Sequence, residues 1–257
     1  MISTVLRLRR DRVPLPCPGF DRLALRRLGR VSSHAAMLRF PGGPPCLVRR
    51  VVRPVVSGGR ETVGETWVFG YGSLVSPVSL ATTIGRVVDP SEVAVATLAG
   101  YGRRWNYGAK HVRAAWTLDD IAVADGVMIA LGLESSASES CNGVLVRVTD
   151  DDLTRLDRRE RDYDRTDVTD LVSVDEPAAG VATATPQGSR FVTYVPRASA
   201  VERYETARDE RRAAIRQPYW DLVRDAFDVL GGSHPARYGT TPAPDVPIVD
   251  MTWSVES

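Results

Sequence analysis

The chain has 257 residues, a formal net charge of +1 and 43% hydrophobic residues. These values predict a soluble globular protein with one core of ordinary domain size and an appendage. Its three cysteines and three histidines show no Cys-x-x-Cys or His-x-x-x-His spacing. This argues against a disulfide framework and against a metal centre, so we expect neither a metal nor a cofactor.

Residues 1–64 form an extension rich in arginine and proline. Only two acids, Asp11 and Asp21, accompany thirteen arginines up to Arg60, and residues 57–59 have the composition of a linker. This composition predicts a disordered extension, followed by one domain over residues 65–257. The excess of arginine over acidic residues fits three alternatives. They are an organellar transit peptide, an arm that binds nucleic acid or anionic lipid, and a start codon assigned too far upstream.

No secretory segment and no apolar run of membrane length is found in the sequence. We therefore expect no membrane span and a cytoplasmic location. Nucleic-acid binding is expected only through the basic extension, if at all, and nothing in the sequence predicts an oligomeric state.

The apolar strand predicted over residues 67–71 runs into a Gly-Tyr-Gly-Ser turn, after which a helical pattern opens at residues 77–84. Gly70 and Gly72 allow a positive φ or the close approach of a ligand. Successive amides in such a turn form a concave set of donors suited to a carboxylate or an oxyanion. A Gly-x-Gly pattern also ends ordinary strands, so the turn alone fits a purely structural role equally well.

A second segment, residues 103–107, combines two adjacent arginines with Trp105 and Tyr107. In a strand, Arg103 and Arg104 point to opposite faces, so one of them could bind a substrate carboxylate as a fork. The alternatives are stacking on nucleic-acid bases and a solvated edge strand with Trp105 in the core.

A third segment alternates as a strand over residues 143–148 and then carries a capping box, Thr149 with Asp152. A helix should therefore begin near Asp150. Leu153, Leu156 and Glu160 share one face of that helix, whereas Asp157, Arg158, Arg159 and Arg161 should point mostly to water. A carboxylate turned towards the core must be paired or have a function. A structural salt bridge from Glu160 to an arginine is the alternative interpretation.

Further strands are predicted over residues 94–98, 127–133, 168–174 and 191–195, with a helix from residue 201 onward and an amphipathic helix over residues 218–230. Many strands in series with few intervening helices favour an antiparallel or mixed sheet, and hence an α+β fold.

Together, three motifs resemble the gamma-glutamylcyclotransferase superfamily, which includes AIG2-like proteins and ChaC-type glutathione-degrading enzymes. They are Phe-Gly-Tyr-Gly-Ser-Leu-Val at residues 69–75, Gly-Tyr-Gly-Arg-Arg-Trp at residues 100–105, and Leu-Asp-Arg-Arg-Glu at residues 156–160. The resemblance runs from about Thr66 to near Leu230. It implies a small closed β-barrel, mixed or antiparallel, flanked by helices.

The resemblance also implies an activity, the cyclisation of a small gamma-glutamyl amide to 5-oxoproline with release of the amine. Glu160 would act as general base and then as general acid. The substrate-binding residues that the resemblance implies lie within these motifs or next to them. They are Tyr71, Gly72, Ser73, Leu74, Val75, Ser76, Arg103 and Tyr163. No enzyme nucleophile is needed, because the substrate's own amine attacks.

Two departures leave the substrate open. The turn lacks the Asn of the Tyr-Gly-Ser-Asn-Leu motif. Relative to ChaC-type enzymes, Ser76 stands where their turn ends in Trp, and Arg161-Asp162-Tyr163 replaces their Lys-Gly-Gly-Tyr, which counts as one departure from that subfamily. Glutathione, a gamma-glutamyl amino acid and a gamma-glutamyl amine are all candidates. A non-catalytic member of the fold that binds a small ligand or a partner is the alternative function. A serine hydrolase at Ser73 is less supported, because no Gly-x-Ser-x-Gly elbow or triad histidine accompanies it.

Overall fold

The computed structural model describes residues 64–175 and 188–255. The helices and strands in chain order are β1 (Thr66–Gly70), α1 (Pro77–Ile84), β2 (Val93–Gly108), β3 (Val112–Leu118), β4 (Ile121–Val148), α2 (Asp150–Arg159), β5 (Tyr163–Asp167), β6 (Val172–Val174), β7 (Arg190–Pro196), α3 (Ala198–Asp209), β8 (Ala213–Arg216), α4 (Gln217–Leu230), α5 (His234–Tyr238), β9 (Ile248–Val249) and β10 (Thr252–Val255). The disorder predicted for residues 1–64 falls, except for Gly64, outside the described residues, and the domain boundary stays a prediction.

Ten strands form one mixed sheet, in which the path β10-β3-β4-β1-β7-β5 carries β2, β6, β8 and β9 as branches. The pairs β1–β7, β4–β8 and β8–β9 are parallel, and the other pairs are antiparallel. The α+β class with helices around a large sheet is confirmed. Strand pairings within the described residues form a branched sheet rather than a closed ring, so the closed barrel stays a prediction.

Strands β2 and β4 are far longer than the sequence pattern predicts. The predicted strands over residues 127–133 and 143–148 are parts of one strand of 28 residues, β4, and β2 spans 16 residues. The register of their pairing shifts between Ala99 and Tyr101 and again between Arg104 and Tyr107. Bulges of this kind bend a strand without ending it. By contrast, the strand predicted over residues 168–174 is reduced to β6, because Thr169–Leu171 forms a 3₁₀ turn.

Helices α2 and α4 pack against the sheet as their apolar stripes predict. Helix α2 begins at Asp150, where Thr149 and Asp152 form the reciprocal capping box, and it buries Leu156. Helix α4 buries Val223 and Phe227 in the same core as Phe69 of β1. No helix that the structure describes has the length and apolar character of a membrane span.

Candidate active site

The turn after β1 begins where this strand is held between two neighbours, β4 and β7. A Cβ on Gly70 would come within 2.8 Å of the Leu74 Cβ, so the tight turn needs glycine at this position. The Val75 N–H donates to the Gly72 carbonyl (3.0 Å) and the Ser76 N–H to the Ser73 carbonyl (3.1 Å). The N–H groups of residues 72–74 find no acceptor within the described residues, and they remain available to an anionic ligand.

The backbone at Gly72 corrects one expectation. Its φ is −129°, and neither Gly70 nor Gly72 has a positive φ, so neither glycine is required for a left-handed conformation. A Cβ on Gly72 would lie 3.5 Å from the Tyr219 hydroxyl and 3.6 Å from the Leu131 Cβ, which are ordinary contacts. The contribution of Gly72 is therefore open space beside these two side chains.

Arg103 supports the turn from behind. Its Nε donates to the Tyr71 carbonyl (2.8 Å), its Nη2 donates to the Asn142 carbonyl, and its Nη1 donates to Thr241 Oγ1 (3.1 Å). The guanidinium also lies 4.7 Å from the ring centre of Phe227. Burial lowers the pKa of Arg103 below its ordinary value. These contacts make Arg103 a support for the backbone of the turn. The sequence predicted that Arg103 binds substrate, but it is not among the described residues that line the cleft next to Glu160.

A small cleft with a cavity volume of about 40 Å³ opens on the other side of the turn. It brings together six of the predicted residues, namely Tyr71, Gly72, Ser73, Leu74, Glu160 and Tyr163. Two other predicted binding residues lie elsewhere. Val75 is buried in the core, and the Ser76 side chain caps α1 by accepting from the Ser79 N–H (3.4 Å). The remaining lining residues, which the sequence did not identify as site residues, are Phe69, Leu131, Tyr194 and Tyr219.

Glu160 is the C-cap residue of α2 and lines the cleft together with the residues of the turn. Its N–H donates to the Leu156 carbonyl (2.8 Å), and its carbonyl accepts from the Tyr163 N–H (2.8 Å). The side chain is only 13% exposed, and Arg159 Nε lies 3.3 Å from its Oε1. Burial raises the pKa of Glu160 above its ordinary value, and the nearby Arg159 charge lowers it by less. A carboxyl group whose pKa is raised in this way can accept and donate protons as a general base and acid.

Four tyrosines line the cleft together with Glu160, namely Tyr71, Tyr163, Tyr194 and Tyr219. The Tyr71 hydroxyl donates to the Tyr194 carbonyl (2.8 Å), and the Tyr163 hydroxyl donates to the Leu131 carbonyl (3.1 Å). The Tyr219 hydroxyl accepts from the Leu131 N–H (3.3 Å). Burial raises the pKa of all four phenols above its ordinary value. They are therefore neutral at physiological pH, and Glu160 is the only carboxylate among the described residues that line the cleft.

Sequence reasoning missed three side chains around Glu160. Tyr194 lies on β7, and Tyr219 lies in the first turn of α4. The sequence pattern had indicated Tyr219 only as one residue of the apolar face of the amphipathic helix predicted over residues 218–230. Arg159 was expected to point to water, but its Nη2 donates to Ser73 Oγ at 2.7 Å. The apolar face of the helix over residues 218–230 does contain one signal for a site role of Tyr219, because a buried tyrosine hydroxyl needs a polar partner. The sequence contains no such signal for Arg159.

The described residues contain no group of three or more His, Cys, Asp or Glu side chains placed to hold a metal ion.

No protein-family model matches this sequence, and no curated protein matches it significantly. Several solved structures are similar to it. A gamma-glutamyl cyclotransferase aligns with a TM-score of 0.37 and 14% identity over 70% of this chain and 89% of its own. The yeast gamma-glutamyl cyclotransferase specific to glutathione aligns with a TM-score of 0.33 and 16% identity, covering 52% and 69%. YkqA from Bacillus subtilis aligns with a TM-score of 0.40 and 16% identity, covering 70% and 56%.

Two of these similar structures are gamma-glutamyl cyclotransferases, the class of enzyme that the sequence motifs resemble, at 14% and 16% sequence identity. With TM-scores of 0.40 or less, the alignments support no conclusion about the activity of this chain. The case for a function has to come from the site.

Proposed function

We propose that this protein is a gamma-glutamylcyclotransferase, which converts a gamma-glutamyl amide into 5-oxoproline and a free amine. One observation carries the proposal: the buried Glu160 carboxylate, with a raised pKa, lines a small cleft together with a turn whose amides at residues 72–74 are unpaired. Such an arrangement provides a proton carrier and an oxyanion site on the two sides of one substrate.

The reaction would proceed within the substrate. Its α-nitrogen attacks the γ-carbonyl carbon, a C–N bond closes the five-membered ring, and the original amide C–N bond breaks. Two protons leave the attacking nitrogen and two arrive on the departing one if it leaves as an ammonium ion. Glu160 can carry these protons in turn. Folding the substrate so that its amine meets its carbonyl contributes up to about 7–11 kcal/mol in well-oriented intramolecular reactions.

The cleft gives little support to a serine nucleophile. Ser73 Oγ accepts a hydrogen bond from Arg159, and no histidine is among the residues that line the cleft in the described part of the chain. A triad needs a base within hydrogen-bonding distance of the hydroxyl. A ring-closing mechanism needs none at Ser73.

A non-catalytic, ligand-binding role remains the second candidate. It is favoured by the way the polar groups at this end of the cleft satisfy one another, since Arg159 contacts both Glu160 and Ser73 without a ligand. The proposal includes a cytoplasmic location. It leaves the substrate, and with it the leaving amine, open among glutathione, gamma-glutamyl amino acids and gamma-glutamyl amines, and it assigns no role to the N-terminal extension.

The test is an incubation of the full chain with glutathione, a gamma-glutamyl amino acid and a gamma-glutamyl amine. Mass spectrometry would quantify 5-oxoproline, glutamate and the released amine. The proposal predicts 5-oxoproline and amine in equal amounts from at least one compound. Glutamate in place of 5-oxoproline would support a hydrolase. No product, combined with calorimetric binding of one compound, would support the ligand-binding role.

A further inference from the structure

Arg159 connects three parts of the structure around the carboxylate. Its Nη2 donates to Ser73 Oγ in the turn (2.7 Å), and its Nη1 donates to Thr83 Oγ1 on α1 (2.7 Å). Its Nε lies 3.3 Å from Glu160 Oε1 at the end of α2. A longer contact joins Nη2 to Ser79 Oγ (3.4 Å). All three nitrogens of the guanidinium are thus engaged with these partners.

The planar guanidinium is the side chain best suited to this arrangement. Its donors lie in a fixed fork, so that two hydroxyl partners define the plane from which Nε reaches the carboxylate. A lysine ammonium at the same position would have to choose among these partners. The side chain of Arg159 is 32% exposed, whereas that of Glu160 is 13% exposed, so Arg159 is the more exposed partner of the pair.

Arg159 is also the charged side chain that acts most directly on Glu160. The titratable groups that face the carboxylate from the surrounding elements are tyrosines, which stay neutral, namely Tyr71, Tyr107, Tyr163, Tyr194 and Tyr219. Burial acts to neutralise the carboxyl group, and Arg159 is the opposing influence. Without this cation, a buried carboxylate would favour its protonated form.

We propose that Arg159 is a positioning residue, which clasps the Glu160 carboxylate to the turn at Ser73 and to α1 at Thr83. As a consequence, the clasp favours the ionised form of Glu160 and keeps the carboxylate oriented when substrate enters. This inference rests on the proposed function, in which Glu160 must be ionised to accept the first proton. Arg159 acts through Glu160 and through the turn.

The test compares wild type with Arg159→Gln, Arg159→Lys and the matched control Arg158→Gln. Arg158 is the exposed neighbour, and it makes no hydrogen bond or ion pair with the residues that the structure describes. The Glu160 carboxyl carbon would be titrated by ¹³C NMR in the full chain with labelled glutamate, with Glu160→Gln used to assign the signal. This readout does not depend on turnover.

We expect the pKa of Glu160 to rise by about one pH unit or more in Arg159→Gln, because an opposite charge at this distance lowers a carboxyl pKa by about 1–3 pH units. Arg159→Lys should show a smaller rise, and Arg158→Gln should show none. If wild type forms 5-oxoproline, the acid limb of its kcat/KM profile should move to higher pH by the same amount in Arg159→Gln. Activity at pH values above the new limb should be largely recovered.

An unchanged Glu160 titration in a folded Arg159→Gln variant would overturn the proposal, as would an equal rise in Arg158→Gln. Thr83→Val provides a second check if Arg159→Gln does not fold. It removes one anchor of the guanidinium and leaves the cation in place, so it should raise the pKa of Glu160 by a smaller amount, and no rise would count against the clasp. Absence of 5-oxoproline in wild type would refute the proposed function while leaving the titration result to decide on Arg159.

Discussion

Two largely buried carboxylates at opposite ends of α2 show how differently the same chemical group can be used. Asp152 in the first turn of α2 has a side chain that is 5% exposed, and Glu160 at the other end has one that is 13% exposed. Asp152 accepts from Arg86 at 2.8 and 3.0 Å and from the Thr149 N–H at 3.1 Å. Glu160 has one ion pair, with Arg159, within the described residues.

The pKa values of the two groups move in opposite directions. Burial acts to raise the pKa of Asp152, but hydrogen bonds from Arg86 and Thr149 outweigh it and hold that pKa below its ordinary value. Burial dominates at Glu160 and raises its pKa. Asp152 therefore stabilises the helix start through the three hydrogen bonds that its Oδ2 accepts. The Glu160 carboxylate, in the proposed mechanism, accepts a substrate proton.

The largest expected effect separates the two groups by function. Glu160→Gln removes the proton carrier and should lower the rate of 5-oxoproline formation by a factor of about 100–10,000. Because the amide occupies the same volume, the protein should remain folded and retain substrate binding. Steady-state kinetics and isothermal titration calorimetry would measure both properties. Activity within a few-fold of wild type would remove Glu160 from the mechanism.

Asp152→Ala should have the converse effect. It deletes one of the two carboxylate partners of Arg86, of which Glu92 remains, and half of the capping box. The expected loss is about 2 kcal/mol in the free energy of unfolding. Activity per folded molecule should stay within a few-fold of wild type. Chemical denaturation and kinetics on the same sample would test this. A stable Asp152→Ala variant with no turnover would mean that the two carboxylates cannot be separated in this way.

The pH dependence of stability sharpens the comparison further. The folded-state pKa of Glu160 is raised above its unfolded value, so the folded state holds a proton that the unfolded state releases between the two pKa values. The contribution of Glu160 to stability is fully present below the unfolded pKa and is lost as pH rises through the folded one.

It follows that Glu160→Gln should gain stability relative to wild type as pH rises through that window. The gain has an upper limit of about 1.4 kcal/mol for each pH unit that separates the two pKa values. Thermal unfolding of both proteins across a pH series would measure the difference. A gap between them that is constant with pH would contradict the raised pKa.

The smallest expected effects lie in the turn. Ser73→Ala removes one hydroxyl partner of Arg159 and keeps the backbone amide, so it should cost about 1 kcal/mol in transition-state stabilisation, or about fivefold in kcat/KM. Gly72→Ala should be tolerated, because its Cβ would make contacts of 3.5 Å or longer. Complete loss of activity in Ser73→Ala would instead identify Ser73 as a nucleophile.

Local patterns in the sequence predicted one half of this site well. The 3.6-residue spacing of Leu153, Leu156 and Glu160 and the capping box at Thr149 correctly predicted a helix that buries Leu156 and carries Glu160 inward. The residues of the turn at 71–74 could also be predicted, because the glycines and the strand end are signals within a few residues of one another.

Contacts between distant elements could not be predicted in the same way. The side on which Arg103 lies depends on bulges that shift the pairing of β2 with β4. Arg159 reaches Thr83 only because α1 packs against α2, and the 3₁₀ turn directs Val75 into the core. Tyr194 and Tyr219 join the cleft from strands and helices far along the chain, where their spacing indicated only core packing.

The central claim is that Glu160 is the base for ring closure, and one pair of titrations tests it most directly. The acid limb of the kcat/KM profile for 5-oxoproline formation reports the pKa of the essential base in the free enzyme. This value should equal the pKa of the Glu160 carboxyl group measured by ¹³C NMR in the same buffer, above the ordinary glutamate value. A kinetic limb that differs from the NMR titration by more than about one pH unit would contradict the assignment of Glu160 as the base.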